Sequence, residues 1–166
     1  MSLVDGKKVF LGTHWDADGI ASAAIIYHLI KDKVKSIKTL SKGDIFLIEK
    51  KDVPSDCDIV ICTDIHASED IDKPVIYIDH HPIENGDYKQ DYDLMIYDKE
   101  AQSCTIVIWD KLIKNVDDSY FVFLVLLGFF GDGGSNKEIP PELESKAMRA
   151  FPELMIRKQS HYNDED

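Results

Sequence analysis

Two kinds of apolar pattern alternate along the chain: short runs rich in β-branched residues, and longer stretches with apolar residues every three or four positions. The first reads as buried strand and the second as amphipathic helix. Lys8 to Thr13 predicts a strand. Gly19 to Lys31 predicts a helix with Ile20, Ala23, Ala24, Tyr27 and Ile30 on one buried face. Ile37 to Leu40 and Ile45 to Glu49 are weaker strands, joined by a turn at Lys42-Gly43-Asp44. Asp58 to Thr63 and Pro74 to Ile78 are the clearest strands, and Tyr92 to Tyr97 reads as an edge strand. Thr105 to Ile113 and Tyr120 to Phe130 then read as helices, led by Gln102-Ser103 and Asp117-Asp118-Ser119 as caps. A last helix is expected over Glu138 to Arg157, entered through Pro140-Pro141 and broken or restarted at Pro152.

Strands joined by helices imply right-handed crossovers and an α/β fold: an open, mostly parallel twisted sheet with helices on both faces. Such a sheet gathers the polar residues that follow its strands along one edge. At 166 residues, the length suits one domain, expected over 1–159, with the polar Ser160 to Asp166 as a tail or linker. No apolar run is long enough for a membrane span, Phe121 to Phe130 being the longest candidate. Cys57, Cys62 and Cys104 have no CxxC spacing, which points to a reducing, cytoplasmic setting without disulfides or a thiolate zinc site. The net charge of −12 is uneven, being +2 over residues 1–50 and −14 over residues 51–166. Arg149 and Arg157 are the only arginines. That balance works against extended contact with a nucleic-acid backbone.

Four polar stations follow apolar segments: His14, Asp16 and Asp18; Asp64; Asp79-His80-His81; and Asp132 within Gly128-Phe129-Phe130-Gly131-Asp132-Gly133-Gly134. Brought to one edge, so many carboxylates repel one another unless cations intervene. Oxygen and nitrogen donors without thiolate favour Mn²⁺, Mg²⁺ or a similar ion. One acid bridging two ions about 3.5–4 Å apart would make a pair suited to cleaving phosphoesters.

This ordered set resembles the DHH phosphoesterase superfamily, in the form of a RecJ-like, archaeal DHH exonuclease-type catalytic domain, over about residues 8–134. Thr13-His14-Trp15-Asp16-Ala17-Asp18-Gly19-Ile20-Ala21-Ser22 is similar to its first motif, Asp64 to its second, Asp79-His80-His81 to its third and Asp132 to its fourth. The resemblance implies two divalent ions, Mn²⁺ foremost with Mg²⁺ or Co²⁺ as alternatives. His14, Asp16 and Asp64 would hold one ion; Asp18, Asp64, His80 and Asp132 would hold the other. A hydroxide between the ions would attack phosphorus. His81 would touch the scissile phosphate or assist the leaving group, and Asp79 would orient an imidazole instead of ligating. Ser103 and Thr105 fall where relatives carry a small polar patch at a helix start, which implies a phosphate contact through backbone amides.

The family's C-terminal substrate-binding domain, with its Gly-Gly-Gly-His motif, has no counterpart after residue 134. The chain is expected to be a fragment, a minimal family member, or a subunit whose substrate surface comes from a partner domain or subunit. Phosphodiester hydrolysis in short single-stranded oligonucleotides or nucleotide-type substrates fits best, with no membrane involved. The alternatives are a non-catalytic DHH-fold scaffold in a replication or repair complex, or a phosphatase acting on pyrophosphate or polyphosphate. The single residue between His14 and Asp16 disfavours pyrophosphate, because the family's pyrophosphatases have three there.

Overall fold

Three five-residue strands buried along their whole length, β1 (Val9–Thr13), β4 (Ile59–Thr63) and β6 (Val75–Asp79), form the middle of the sheet. Both faces of each are covered, which explains why their sequences are continuous apolar runs and not alternating ones. The structure is a computed structural model that describes residues 2–40, 47–83, 89, 91–134 and 137–155. The edge strands are β2 (Val34–Thr39) and β7 (Leu94–Tyr97), and the order is β2-β1-β4-β6-β7 with every pairing parallel. The expected open parallel α/β sheet is thus present. β2 begins at Val34, three residues before the expected Ile37, because its alternation of half-buried and exposed residues includes Lys35 and Lys38. Polar side chains on an edge strand mask the apolar pattern.

A second, two-stranded parallel sheet pairs β3 (Leu47–Ile48) with β5 (His66–Ala67). The turn expected at 42–44 and the tail at 160–166 lie outside the described residues, as does the first part of the strand expected from Ile45. The helices are α1 (Ala17–Ile30), α2 (Cys104–Ile108), α3 (Ser119–Gly131) and α4 (Pro141–Ala150). A π-helical turn at Trp109–Ile113 continues α2, so the expected helix to Ile113 changes winding halfway.

The layering departs from expectation. Val9, Leu11, Ile59, Ile61, Ile76 and Ile78 meet buried residues of all four helices on one face. Phe10, Val60, Cys62, Val75 and Tyr77 on the other face meet Leu40, Ile48, Ile65, Ala67 and Ile71. Among the described residues, this second face is covered by the small sheet and its connections, not by helices. Residues 64–74, which link β4 to β6, are too few for a crossover helix.

Helix α1 also turns differently from the expected face. Its buried residues include Ala21, Ser22, Ala23, Ile25, Ile26 and Ile30, while Ile20 and Tyr27 are exposed. The helix packs on both the sheet and α3, and so buries more of its circumference than one stripe. Gly128 permits a close approach to both neighbouring helices: a Cβ there would stand 2.4 Å from Thr105 Cγ2 and 2.6 Å from Asp18 Oδ1. We therefore expect Gly128→Ala to destabilise the fold by about 2 kcal/mol, read as a lowered urea midpoint. An unchanged midpoint would show that α3 can shift freely.

Candidate metal centre

The sheet's connectivity fixes where polar side chains collect. From β1 the chain moves to β2 on one side and later to β4 on the other, and the crevice at such a reversal lies beyond the strands' carboxyl ends. His14 and Asp16 follow β1 there, Asp64 follows β4, and His80 and His81 follow β6. Asp18 enters from the first turn of α1, and Asp132 from the end of α3.

Local backbone chemistry holds each group. Asp16 caps α1, its Oδ1 accepting from the Gly19 amide at 2.8 Å, and its Oδ2 lies 2.9 Å from His14 Nδ1. Asp64 sits at φ 59°, a left-handed backbone that Asp tolerates better than most residues at a cost of about 1 kcal/mol or more. Its amide donates to the Ile78 carbonyl at 2.9 Å, tying the end of β4 to β6. Asp79 Oδ1 accepts from the amides of His80 (2.6 Å) and His81 (3.0 Å) and from His81 Nδ1 (2.9 Å). The other Asp79 oxygen accepts from the Tyr77 hydroxyl at 2.7 Å.

Three sets of donor atoms come together, each within 4.8 Å: His14, Asp16 and Asp64; Asp18, His80 and Asp132; and Asp64, Asp79, His80 and His81. Asp64 links them. Its Oδ2 is 3.5 Å from His14 Nδ1, while its Oδ1 is 3.7 Å from His80 Nε2 and 3.4 Å from His81 Nδ1. His80 Nε2 is also 3.7 Å from Asp18 Oδ2 and 3.6 Å from Asp132 Oδ2. His80 Nδ1 lies 3.3 Å from the Ala101 carbonyl. A carbonyl only accepts, so Nδ1 carries the proton and Nε2 turns a lone pair toward the acids, the tautomer a metal requires.

Whether these residues fit metal ions is decided by what satisfies them. Both oxygens of Asp64 and Nε2 of His80 are buried without a hydrogen-bond partner. Buried polar atoms left so are rare and costly, and cations among carboxylates and imidazoles would satisfy all three. The residues therefore fit divalent metal. Asp18 differs, for its carboxylate already accepts from the amides of Cys104 (2.6 Å) and Thr105 (3.0 Å).

That pairing corrects one expectation. The start of α2 does bind an anion, but the anion is Asp18 and not a substrate phosphate. Ser103 and Thr105 are fully buried. The Ser103 hydroxyl caps α2 by accepting from the Ile106 amide, and the Thr105 hydroxyl donates to the Val125 carbonyl. Both hydroxyls are engaged within the protein. The other expected residues (His14, Asp16, Asp18, Asp64, His80 and Asp132) fall in the three donor sets, with His81 at the mouth and Asp79 behind it. Tyr77 and the Ala101 carbonyl escaped sequence reasoning. Tyr77 shares a strand face with Asp79, and a phenol within so apolar a run was the available signal.

Burial and the charges of Asp18, Asp79 and Asp16 push the Asp64 carboxyl up to about 10 in the metal-free protein, against a weaker downward pull from His81. Burial likewise raises Asp18, with the two α2 amides opposing it. Burial would raise Asp79 too, but the His81 and Tyr77 hydrogen bonds outweigh it and hold Asp79 below the usual carboxylate range. The hydrogen bond to Asp79 lifts His81 to about 9, against the effect of burial. For a carboxyl raised in the folded state, the native protein holds the extra proton and loses stability as pH climbs. For a histidine raised from 6.5 to about 9, the stabilisation is complete below 6.5 and vanishes as pH passes 9. Both effects have the same sign, so thermal stability of the metal-free protein should fall steadily from pH 6.5 to 9. Asp64→Asn should flatten that decline and raise the melting temperature at the alkaline end. A wild-type profile flat over this range would contradict the assignment.

Known proteins share this fold. An exopolyphosphatase-related protein from Bacteroides fragilis shares 16% identity with a TM-score of 0.54, over 99% of this chain and 63% of that one. Exonuclease RecJ, in a structure with bound manganese, shares 14% identity with a TM-score of 0.57, over 77% of this chain and 39% of that one. This chain thus spans less than two thirds of either neighbour, and at such identities the likeness is one of fold. Among curated proteins none matches by sequence. The profile of the DHH family, N-terminal domain, matches residues 8–129. That span takes in every donor above except Asp132, which the fold returns to His80. With that match over most of its length, the chain belongs to the DHH family.

Proposed function

We propose that the protein is a two-metal phosphoesterase that hydrolyses phosphodiester bonds in short single-stranded oligonucleotides or nucleotide-type substrates. The observation that carries this reading is the Asp64 carboxylate, which offers one oxygen to the His14 and Asp16 set and the other to His80. His14, Asp16 and Asp64 would hold one ion, and Asp18, Asp64, His80 and Asp132 the other. The donor set of carboxylates and imidazoles favours Mn²⁺, with Mg²⁺ or Co²⁺ as alternatives. When bound, such ions supply an activated water and neutralise charge on phosphate oxygens.

The chain's own groups do the rest. His81 is half exposed at the mouth and, in the metal-free protein, raised to about 9; it is placed to meet a phosphate oxygen or to protonate a leaving oxygen. Asp79 holds the Nδ1 proton through its 2.9 Å bond, which leaves Nε2 as the ring nitrogen able to donate to substrate. Burial of Asp18 and Asp64 keeps bulk water from competing for the donors. The −14 charge over residues 51–166 disfavours long nucleic acid on this surface alone. A further domain or subunit would supply the rest of the substrate contact. Among the described residues, no helix is long and apolar enough to cross a membrane.

Hydrolysis of a bis-aryl phosphodiester, a dinucleotide and polyphosphate with Mn²⁺ tests the reading. The wild type should cleave the two diesters in preference to polyphosphate. Asp64→Asn should lower kcat/KM by about a thousandfold. His81→Ala should lower it by about a hundredfold while metal stoichiometry stays at two. A wild type that binds two ions but cleaves no phosphoester would favour a scaffold, and preference for polyphosphate would overturn the substrate class.

A further inference from the structure

Helices α1 and α3 carry an apolar strip on their outer side. They run antiparallel: Gly131 lies against Ala17 at one end, and the His28 ring lies 5.3 Å from the rings of Tyr120 and Phe121 at the other. Ile20 and Tyr27 of α1 therefore stand beside Leu127, Phe123 and Tyr120 of α3. These five side chains are 49%, 43%, 43%, 41% and 47% exposed. Neither Gly19 to Ile30 nor Ser119 to Gly131 contains an Asp, Glu, Lys or Arg, in a chain of which 30% is charged. A helix apolar on all sides, such as α3, belongs in an environment that covers all of them.

We propose that this strip is a self-association surface, where a second copy of the chain packs α1 and α3 against the same pair in an isologous dimer. Exposed areas favour that occupant. Five large side chains near half exposure present on the order of 500 Å². Two copies face to face would remove about 1,000 Å², where specific interfaces begin. The charge pattern agrees. Copies carrying −12 each repel one another, and an uncharged strip lets them meet without placing acids in contact. A partner recognised by charge would find nothing to pair with. Two antiparallel helices over an equivalent pair also give a four-helix layer, an arrangement that ridge-and-groove packing readily accepts.

Sedimentation equilibrium on the whole chain, up to several hundred micromolar, tests this inference without reference to catalysis. The wild type should approach twice the 18.9 kDa chain mass. Added salt should strengthen the association by screening the repulsion. Phe123→Glu with Leu127→Glu should weaken dimerisation about a hundredfold or more while far-UV circular dichroism is retained. Ile20→Lys with Tyr27→Lys should do the same from α1, in case the first pair fails to fold. Met95→Glu, an exposed apolar position on β7, should change nothing. A wild type that stays at 18.9 kDa throughout would overturn the proposal, as would folded strip variants that dimerise as tightly as the wild type.

Discussion

The Asp64 carboxylate is buried beside the carboxylates of Asp16, Asp18 and Asp79, and no hydrogen bond reaches either of its oxygens. A charge in that position is costly, and the metal-free protein meets the cost by holding a proton there. Divalent ions on either side would turn the same repulsion into coordination. The surrounding architecture consists of devices that keep Asp64 there: a left-handed backbone, an amide bonded to Ile78, and strands whose order opens a crevice beside it.

The other donors are held by groups that are not donors themselves. Asp18 is aimed by the two amides that open α2, and Gly128 leaves room for that contact. The Ala101 carbonyl fixes the His80 tautomer, and the Tyr77 hydroxyl fixes the Asp79 carboxylate that orients His81. Tyr77 in turn stacks against Tyr92, at 4.4 Å and 9°, and against His66, at 5.2 Å and 15°. The site is closed toward the core, and among the described donors Asp16, His81 and Asp132 reach solvent.

Much of this was legible in the chain itself. The central strands could be read because burial on both faces leaves unbroken runs such as Val75-Ile76-Tyr77-Ile78, and because strand ends converge, His14, Asp64 and His80 could be grouped although far apart in sequence. What could not be read depended on backbone atoms and on layers. No side-chain pattern reveals that the amides of Cys104 and Thr105 belong to Asp18, so Ser103 and Thr105 looked like a phosphate site. The face of α1 was misplaced for a related reason. Ile20 and Tyr27 are apolar at helical spacing, yet they lie on the outside, on a strip that continues across α3. Periodicity finds an apolar stripe but cannot say whether the sheet or another surface covers it.

The proposed chemistry depends on Asp64 being shared between two cation sites. Anomalous diffraction from crystals soaked in Mn²⁺ tests it most directly. Two peaks about 3.5–4 Å apart are expected, one beside His14 and Asp16, the other beside Asp18, His80 and Asp132, with an Asp64 oxygen reaching each. A single peak, or two peaks of which only one touches Asp64, would contradict that sharing.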